Sequence, residues 1–292
     1  MPGAILRTKL HRPGLPGDFV SRPRLHERLD AGFARPLTLV TAPAGYGKTT
    51  LVSRWLESRP EKSAWVSLDE SDADVLALLR CTVAAVRLTC PAACSETHAL
   101  LQELNQPPVS VLVRSLINEL DAIQERLILV LDDYHELRDH QSHNLVRAML
   151  QHPLRHLHLL ICTRRDPPLN LAELRAQNHL TELRLTDLAF TESETELFLG
   201  QILGQSVGSQ AVIKAQQKFE GWVVGLRLAA MAVRGHDPTG GIAREPPRRS
   251  AGYPRYLMEE VVARQPAEMQ AWLSRLSTSC TGAPVPGLLR LG

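Results

Sequence analysis

Apolar positions along the chain alternate between two patterns. Short apolar runs of the kind that form strands buried on both faces occur at "PLTLVTA", "SAWVSLD", "RLILVLDDYHEL" and "HLHLLICTRRDPP". Between them lie longer segments with apolar residues every three or four positions. "TTLVSRWLESR" puts Leu51, Trp55 and Leu56 on one helical face before Pro60 stops it. "DADVLALLRCTVAAVRL", "VSVLVRSLINELDAIQE" and "SHNLVRAMLQHP" show the same periodicity. An earlier helix is predicted at "SRPRLHERLDAG", with Ser21 as cap, Pro23 in the first turn and Leu25 with Leu29 on one face. The stretch around Pro107-Pro108 is irregular and predicts no element. Strand then helix, repeated, predicts an α/β fold, a parallel sheet with helices on both faces.

Past Pro168 the pattern changes. "LTELRLTDLAF" predicts an added edge strand, and "TESETELFLGQIL" opens a mostly helical region with Thr191 and Glu194 spaced as a capping box. "SQAVIKAQQKFEGWVVGLRLAAMAV" predicts two helices broken near Gly221. The expected division is a basic segment with a first helix (1–35), an α/β domain (36–190) and a helical region (191–234). A linker (235–254) and a last helical segment with a divergent tail (255–292) complete it.

Composition narrows the class. With 292 residues, 44% of them hydrophobic and 22% charged, the chain is a globular protein with a substantial core. Its longest aliphatic run, Leu127 to Leu131, is far too short for a membrane span, and the N-terminus has no apolar segment of signal-peptide length. A cytoplasmic protein with no membrane partner is expected. Lysine and arginine number 33 against 31 aspartates and glutamates, a balance unlike that of a dedicated nucleic-acid surface. Five irregularly spaced cysteines suggest reduced thiols.

The chemistry concentrates in "TAPAGYGKTT", Thr41 to Thr50. A phosphate-binding loop needs consecutive backbone N–H groups facing one concavity at a helix N-terminus. Ala42, Pro43, Ala44, Gly45, Tyr46, Gly47, Lys48, Thr49 and Thr50 supply that loop, with Ala42 where the usual pattern has glycine. Gly45 and Gly47 allow the backbone angles, Lys48 reaches the terminal phosphates, and the Thr49 hydroxyl ligates Mg²⁺. The loop follows a predicted buried strand and opens a predicted helix, which is the context such a motif requires. Downstream, "LILVLDD" ends a strand in two acids. Asp132 is assigned to magnesium, and Asp133 to orienting or activating the attacking water. "LLICTRR" ends in Thr163, Arg164 and Arg165, and either arginine can sense the γ-phosphate. Trp65 and Trp222 are read as packing, and His135 as a surface residue.

Together these residues resemble the ATP-binding region of the MalT family, LuxR-type transcriptional regulators among the signal transduction ATPases with numerous domains (STAND, NB-ARC-like). The likeness rests on "LHRPGLPGDFVSRPRLHERL", "TAPAGYGKTTLVSRWL", "AWVSLDE", "LVLDDYHEL", "TRRDPPLNLAELRAQNHLTEL", "LAFTESETELFL", "FEGWVVGLRLAAMAV" and "RYLMEEVVARQP", in that order. It implies an ATP/ADP switch that hydrolyses ATP slowly with Mg²⁺ and self-associates in the ATP state. It also implies Val20 and Arg22 near adenine and ribose, Gly225 in a segment closing over the nucleotide, and the start of a winged-helix-like region in 255–292. Family members contact an inducer and DNA through later helical repeats and a helix-turn-helix. The change after Ser277 to "TSCTGAPVPGLLRLG" raises the expectation of a truncated product lacking those parts. The alternative is an autonomous P-loop ATPase or small-molecule kinase.

Overall fold

The computed structural model describes residues 5–72, 74–151 and 153–234. They form two compact units by internal contact: residues 5–17, 21–43 and 47–188 make the first, and residues 18–20, 44–46 and 189–234 make the second. The predicted linker and final helix lie outside the described residues.

In the first unit, helix α1 (Pro23–Gly32) precedes strand β1 (Leu37–Thr41) and helix α2 (Lys48–Glu57). Strand β2 (Lys62–Ser67), helices α3 (Val75–Thr89), α4 (Ser95–Gln102) and α5 (Val109–Asp121), and strand β3 (Leu127–Asp132) follow. Then come α6 (His140–Gln151), β4 (Leu157–Thr163), α7 (Leu171–Ala176), β5 (Leu180–Leu183) and α8 (Leu185–Leu188). The sheet runs β2-β3-β4-β1-β5, and every pairing is parallel. Every residue of β1 and β3 is buried, so helices cover both faces and the unbroken apolar runs are explained. Leu39, Leu129, Leu159 and Ile161 of the strands share one core with Leu78 and Leu79 of α3 and Leu112 and Leu116 of α5.

Three local expectations change. Ser21 is not the cap of α1: Arg22 holds that position without a side-chain capping bond, and Pro23 begins the helix. The irregular stretch contains α4, whose start is capped from α5, because the Glu119 carboxylate accepts the Glu96 and Thr97 amides at 2.9 and 2.8 Å. The predicted edge strand is β5, paired only with β1, but it ends at Leu183 and the next residues turn into α8.

The second unit contains α9 (Glu192–Leu203), α10 (Ser209–Phe219) and α11 (Val223–Arg234). The capping box forms: the Thr191 hydroxyl accepts the Glu194 amide, and the Glu194 carboxylate accepts the Thr191 amide. Val20, Phe190, Phe198, Leu199, Phe219, Trp222 and Leu226 make its core, with Phe190 and Phe198 edge to face at 5.4 Å. The break between α10 and α11 falls at Gly221, φ +72°, where a Cβ would lie 2.5 Å from the Phe190 nitrogen.

Candidate nucleotide site

β1 ends at Thr41, and α2 begins at Lys48 with Gly47 as its N-cap in a left-handed conformation, φ 76°. Open space surrounds the Cβ position of Gly47, so its requirement is dihedral rather than steric. Ala42 is buried, and its amide donates to the Thr163 carbonyl at 3.3 Å. Its methyl group therefore fits inside the fold against the end of β4. Pro43 is exposed, and Thr50 is half-buried on α2.

The first unit brings Lys48, Thr49, Asp132 and Asp133 together. The Lys48 ammonium donates to the carbonyls of Ala42 (2.9 Å) and Pro43 (3.1 Å). Burial lowers its pKa, against the opposing pull of Cys162, Asp133 and Asp132, while Arg164 lowers it further. Arg164 is thus within electrostatic reach of Lys48, whereas the Arg165 guanidinium donates to the His135 carbonyl at 3.4 Å. The Thr49 hydroxyl donates to Asp132, 2.9 Å from Oδ2 and 3.2 Å from Oδ1. Burial, with help from Asp133, raises the Asp132 carboxyl to about 6, although the Thr49 bond pulls it down. The Asp133 amide also donates to Asp132 Oδ1 at 3.0 Å. Asp133 itself sits at φ 54°, a conformation uncommon for a residue with a side chain.

Because β4 lies between β1 and β3, its last residues form the floor beneath these groups. Thr163 is fully buried, its hydroxyl donating to the Arg165 carbonyl at 2.8 Å. Cys162 is also fully buried, and burial, with the nearby Asp132 charge, pushes its thiol well above the usual range. Sequence reasoning gave Cys162 no role, since a cysteine in an apolar strand carries no distinguishing signal. His135 is not a plain surface residue: its side chain is 8% exposed, with Nε2 3.1 Å from Glu136 Oε1.

The tip of the loop, Ala44 to Tyr46, belongs with the second unit. The Trp222 indole N–H donates to the Ala44 carbonyl at 3.1 Å, and the Val224 amide to the Gly45 carbonyl at 3.3 Å. Gly45 has φ +85°, and a Cβ there would lie 2.5 Å from Trp222 Nε1. Trp222 does pack in the core, as expected, but its hydrogen bond to the loop has no signature in the sequence. Ala44 and Tyr46 pack against the cluster that contains Val20, and burial raises the Tyr46 phenol. Gly225 lies under the Trp222 ring, where a Cβ would approach to 2.4 Å. Arg22 is buried, and its guanidinium donates to the Leu188 carbonyl at 2.6 Å.

The donors present suit magnesium. Asp132 and Thr49 offer hard oxygens, one carboxylate and one hydroxyl, and Mg²⁺ ordinarily completes such a set with phosphate oxygens and waters. Among the described residues no group of three or more His, Cys, Asp or Glu forms an all-protein cage.

Comparison with known proteins agrees with this geometry. Residues 23–162 match the AAA ATPase domain family, which implies a nucleotide ligand. Over 278 residues, 94% of the chain, the sequence is 34% identical to the HTH-type transcriptional regulator MalT of Serratia proteamaculans. The chain is a relative of the MalT regulators. It is 33% identical to MalT of Yersinia enterocolitica over the same length, and it spans about 30% of the length of each of these relatives. A STAND protein with a tetratricopeptide repeat sensor from Pyrococcus horikoshii superposes with a TM-score of 0.53 over 76% of this chain and 31% of that one. At 15% identity that likeness shows a shared fold and no more. No helix among the described residues is long and apolar enough to cross a membrane.

Proposed function

We propose that the chain is the ATP/ADP-binding switch module of a signal-responsive transcriptional regulator of the MalT type. The observation that carries this reading is the junction of Thr49 and Asp132 at 2.9 Å, beside a buried Lys48 at the start of α2. Lys48 and the loop amides grip the phosphates, Thr49 and Asp132 hold magnesium, which neutralises phosphate charge, and Asp133 orients the attacking water. Arg164, close to Lys48, senses the γ-phosphate. Val20 and Arg22 are the residues proposed near the adenine and ribose. Slow hydrolysis resets the switch, and the ATP state favours self-association. Inducer and DNA contacts belong to the parts of the longer relatives that this chain does not span.

The test is equilibrium binding and turnover of ATP with Mg²⁺, using Lys48→Ala as the control. The switch predicts binding that Lys48→Ala weakens by at least roughly tenfold, with turnover slower than about one per minute, far below the ~10 per second of an ordinary enzyme. Turnover near ~10 per second would replace the switch with an autonomous ATPase or kinase. Binding that ignores Lys48 would remove the nucleotide reading.

A further inference from the structure

We propose that Trp222 is a positioning residue for the phosphate-binding loop, aiming two of its backbone donors by holding their carbonyls from behind. This rests on the nucleotide reading above and names a device within the same site.

The argument begins with the geometry of one peptide plane. In a trans peptide the C=O and the following N–H lie in one plane and point in opposite directions. The Ala44 carbonyl shares its plane with the Gly45 N–H, and the Gly45 carbonyl with the Tyr46 N–H. No cis peptide occurs among the described residues. The Ala44 carbonyl is held by the Trp222 indole at 3.1 Å and the Gly45 carbonyl by the Val224 amide at 3.3 Å. Fixing both oxygens on Trp222 and Val224 directs the Gly45 and Tyr46 N–H groups away from those two residues. Consecutive amides aimed to one side are what an anion-binding nest requires.

The gripping group is itself immobile. Trp222 is 2% exposed, and its ring lies against Gly225, where a Cβ would stand 2.4 Å from it. The indole can approach because Gly45 has no side chain: a Cβ there would sit 2.5 Å from Nε1. A tryptophan present only to fill the core has no need of a particular acceptor. This one directs its polar atom at the loop, and glycines clear both the approach and the seat of the ring.

The experiment uses the whole chain with ADP as the probe. Two quantities are measured: the affinity of Trp222→Phe, which keeps an aromatic ring and loses the N–H, and the indole ¹H–¹⁵N signal of Trp222, assigned in the wild-type chain. Removing one hydrogen bond of ordinary strength from the positioning of the nest predicts roughly fivefold weaker ADP binding. Saturating ADP is expected to move the wild-type indole signal, a change that a purely structural role would not produce. An unmoved signal, or a Phe variant that folds and binds as tightly as wild type, would overturn the proposal. The signal alone decides if the Phe variant does not fold. A wild-type chain that binds no ADP overturns the nucleotide reading first and this inference with it.

Discussion

Ala42 and Asp133 are the two residues of the site whose identities conflict with a simple local rule, and each conflict has a different resolution. Ala42 replaces the glycine of the usual loop pattern, yet its methyl is buried and its amide still bonds to the Thr163 carbonyl. Asp133 adopts a left-handed backbone that costs about 1 kcal/mol or more for a residue with a side chain. Such strain is retained where surrounding structure holds it and the side chain is needed. Asparagine tolerates the same backbone. Asp133→Asn is therefore expected to fold and to bind ATP within about twofold of wild type, while single-turnover hydrolysis falls by roughly a hundredfold, the usual contribution of a general base. Unchanged hydrolysis would remove Asp133 from the mechanism. At this scale the motif letters of Lys48, Thr49, Asp132 and Asp133 were legible. The Cys162 thiol against Asp132 and the Trp222 indole against the loop were not, because both depend on residues far apart in the chain.

Among the elements, legibility followed local consistency. β1, β3 and β4 were readable because doubly buried strands are continuous apolar runs, and the Thr191 capping box because its two partners are three residues apart. α4 was hidden because its N-terminal amides find their acceptor on α5 rather than in their own sequence. The order of strands was equally hidden, since nothing in β4 announces that it pairs with both β1 and β3. The α9 cap and the α10–α11 break offer two kinds of stabilisation that urea unfolding can compare. Thr191→Ala removes one cap and should cost about 1 kcal/mol. Gly221→Ala should cost more than about 2 kcal/mol, because a left-handed residue would also press its Cβ onto the Phe190 backbone at 2.5 Å. Equal costs would mean that the backbone of Phe190 gives way more easily than packing implies.

For the whole molecule, two of the buried titratable groups give pH dependences of opposite sign. Asp132 rises to about 6 in the fold from about 3.9 unfolded, so between those values the folded chain holds a proton that the unfolded chain has lost. Its contribution to stability therefore falls as pH rises through that window. His158, buried with Nδ1 on the Arg35 carbonyl at 2.7 Å, falls to about 4 from about 6.5, so its contribution grows as pH rises over nearly the same range. The wild-type profile mixes these two with the other shifted groups, His143 among them. Asp132→Asn removes the first, and it should be more stable than wild type by roughly 1–3 kcal/mol at pH 7, with the gain shrinking toward pH 4. Magnesium-dependent ATP binding by wild type should run the other way and weaken below about pH 6, because the metal needs the ionised carboxylate. A pH-independent difference between the two proteins would show that Asp132 titrates normally.

The place of β4 also sets a schedule for the newborn chain. The loop and α2 are made early, but the strand carrying Asp132 reaches β1 only through β4, which is not complete until Thr163. During synthesis ATP has nothing finished to grip until those later residues have emerged and slotted into the middle of the sheet. Ligand can reward the completed domain, but it cannot shepherd the nascent one toward completion.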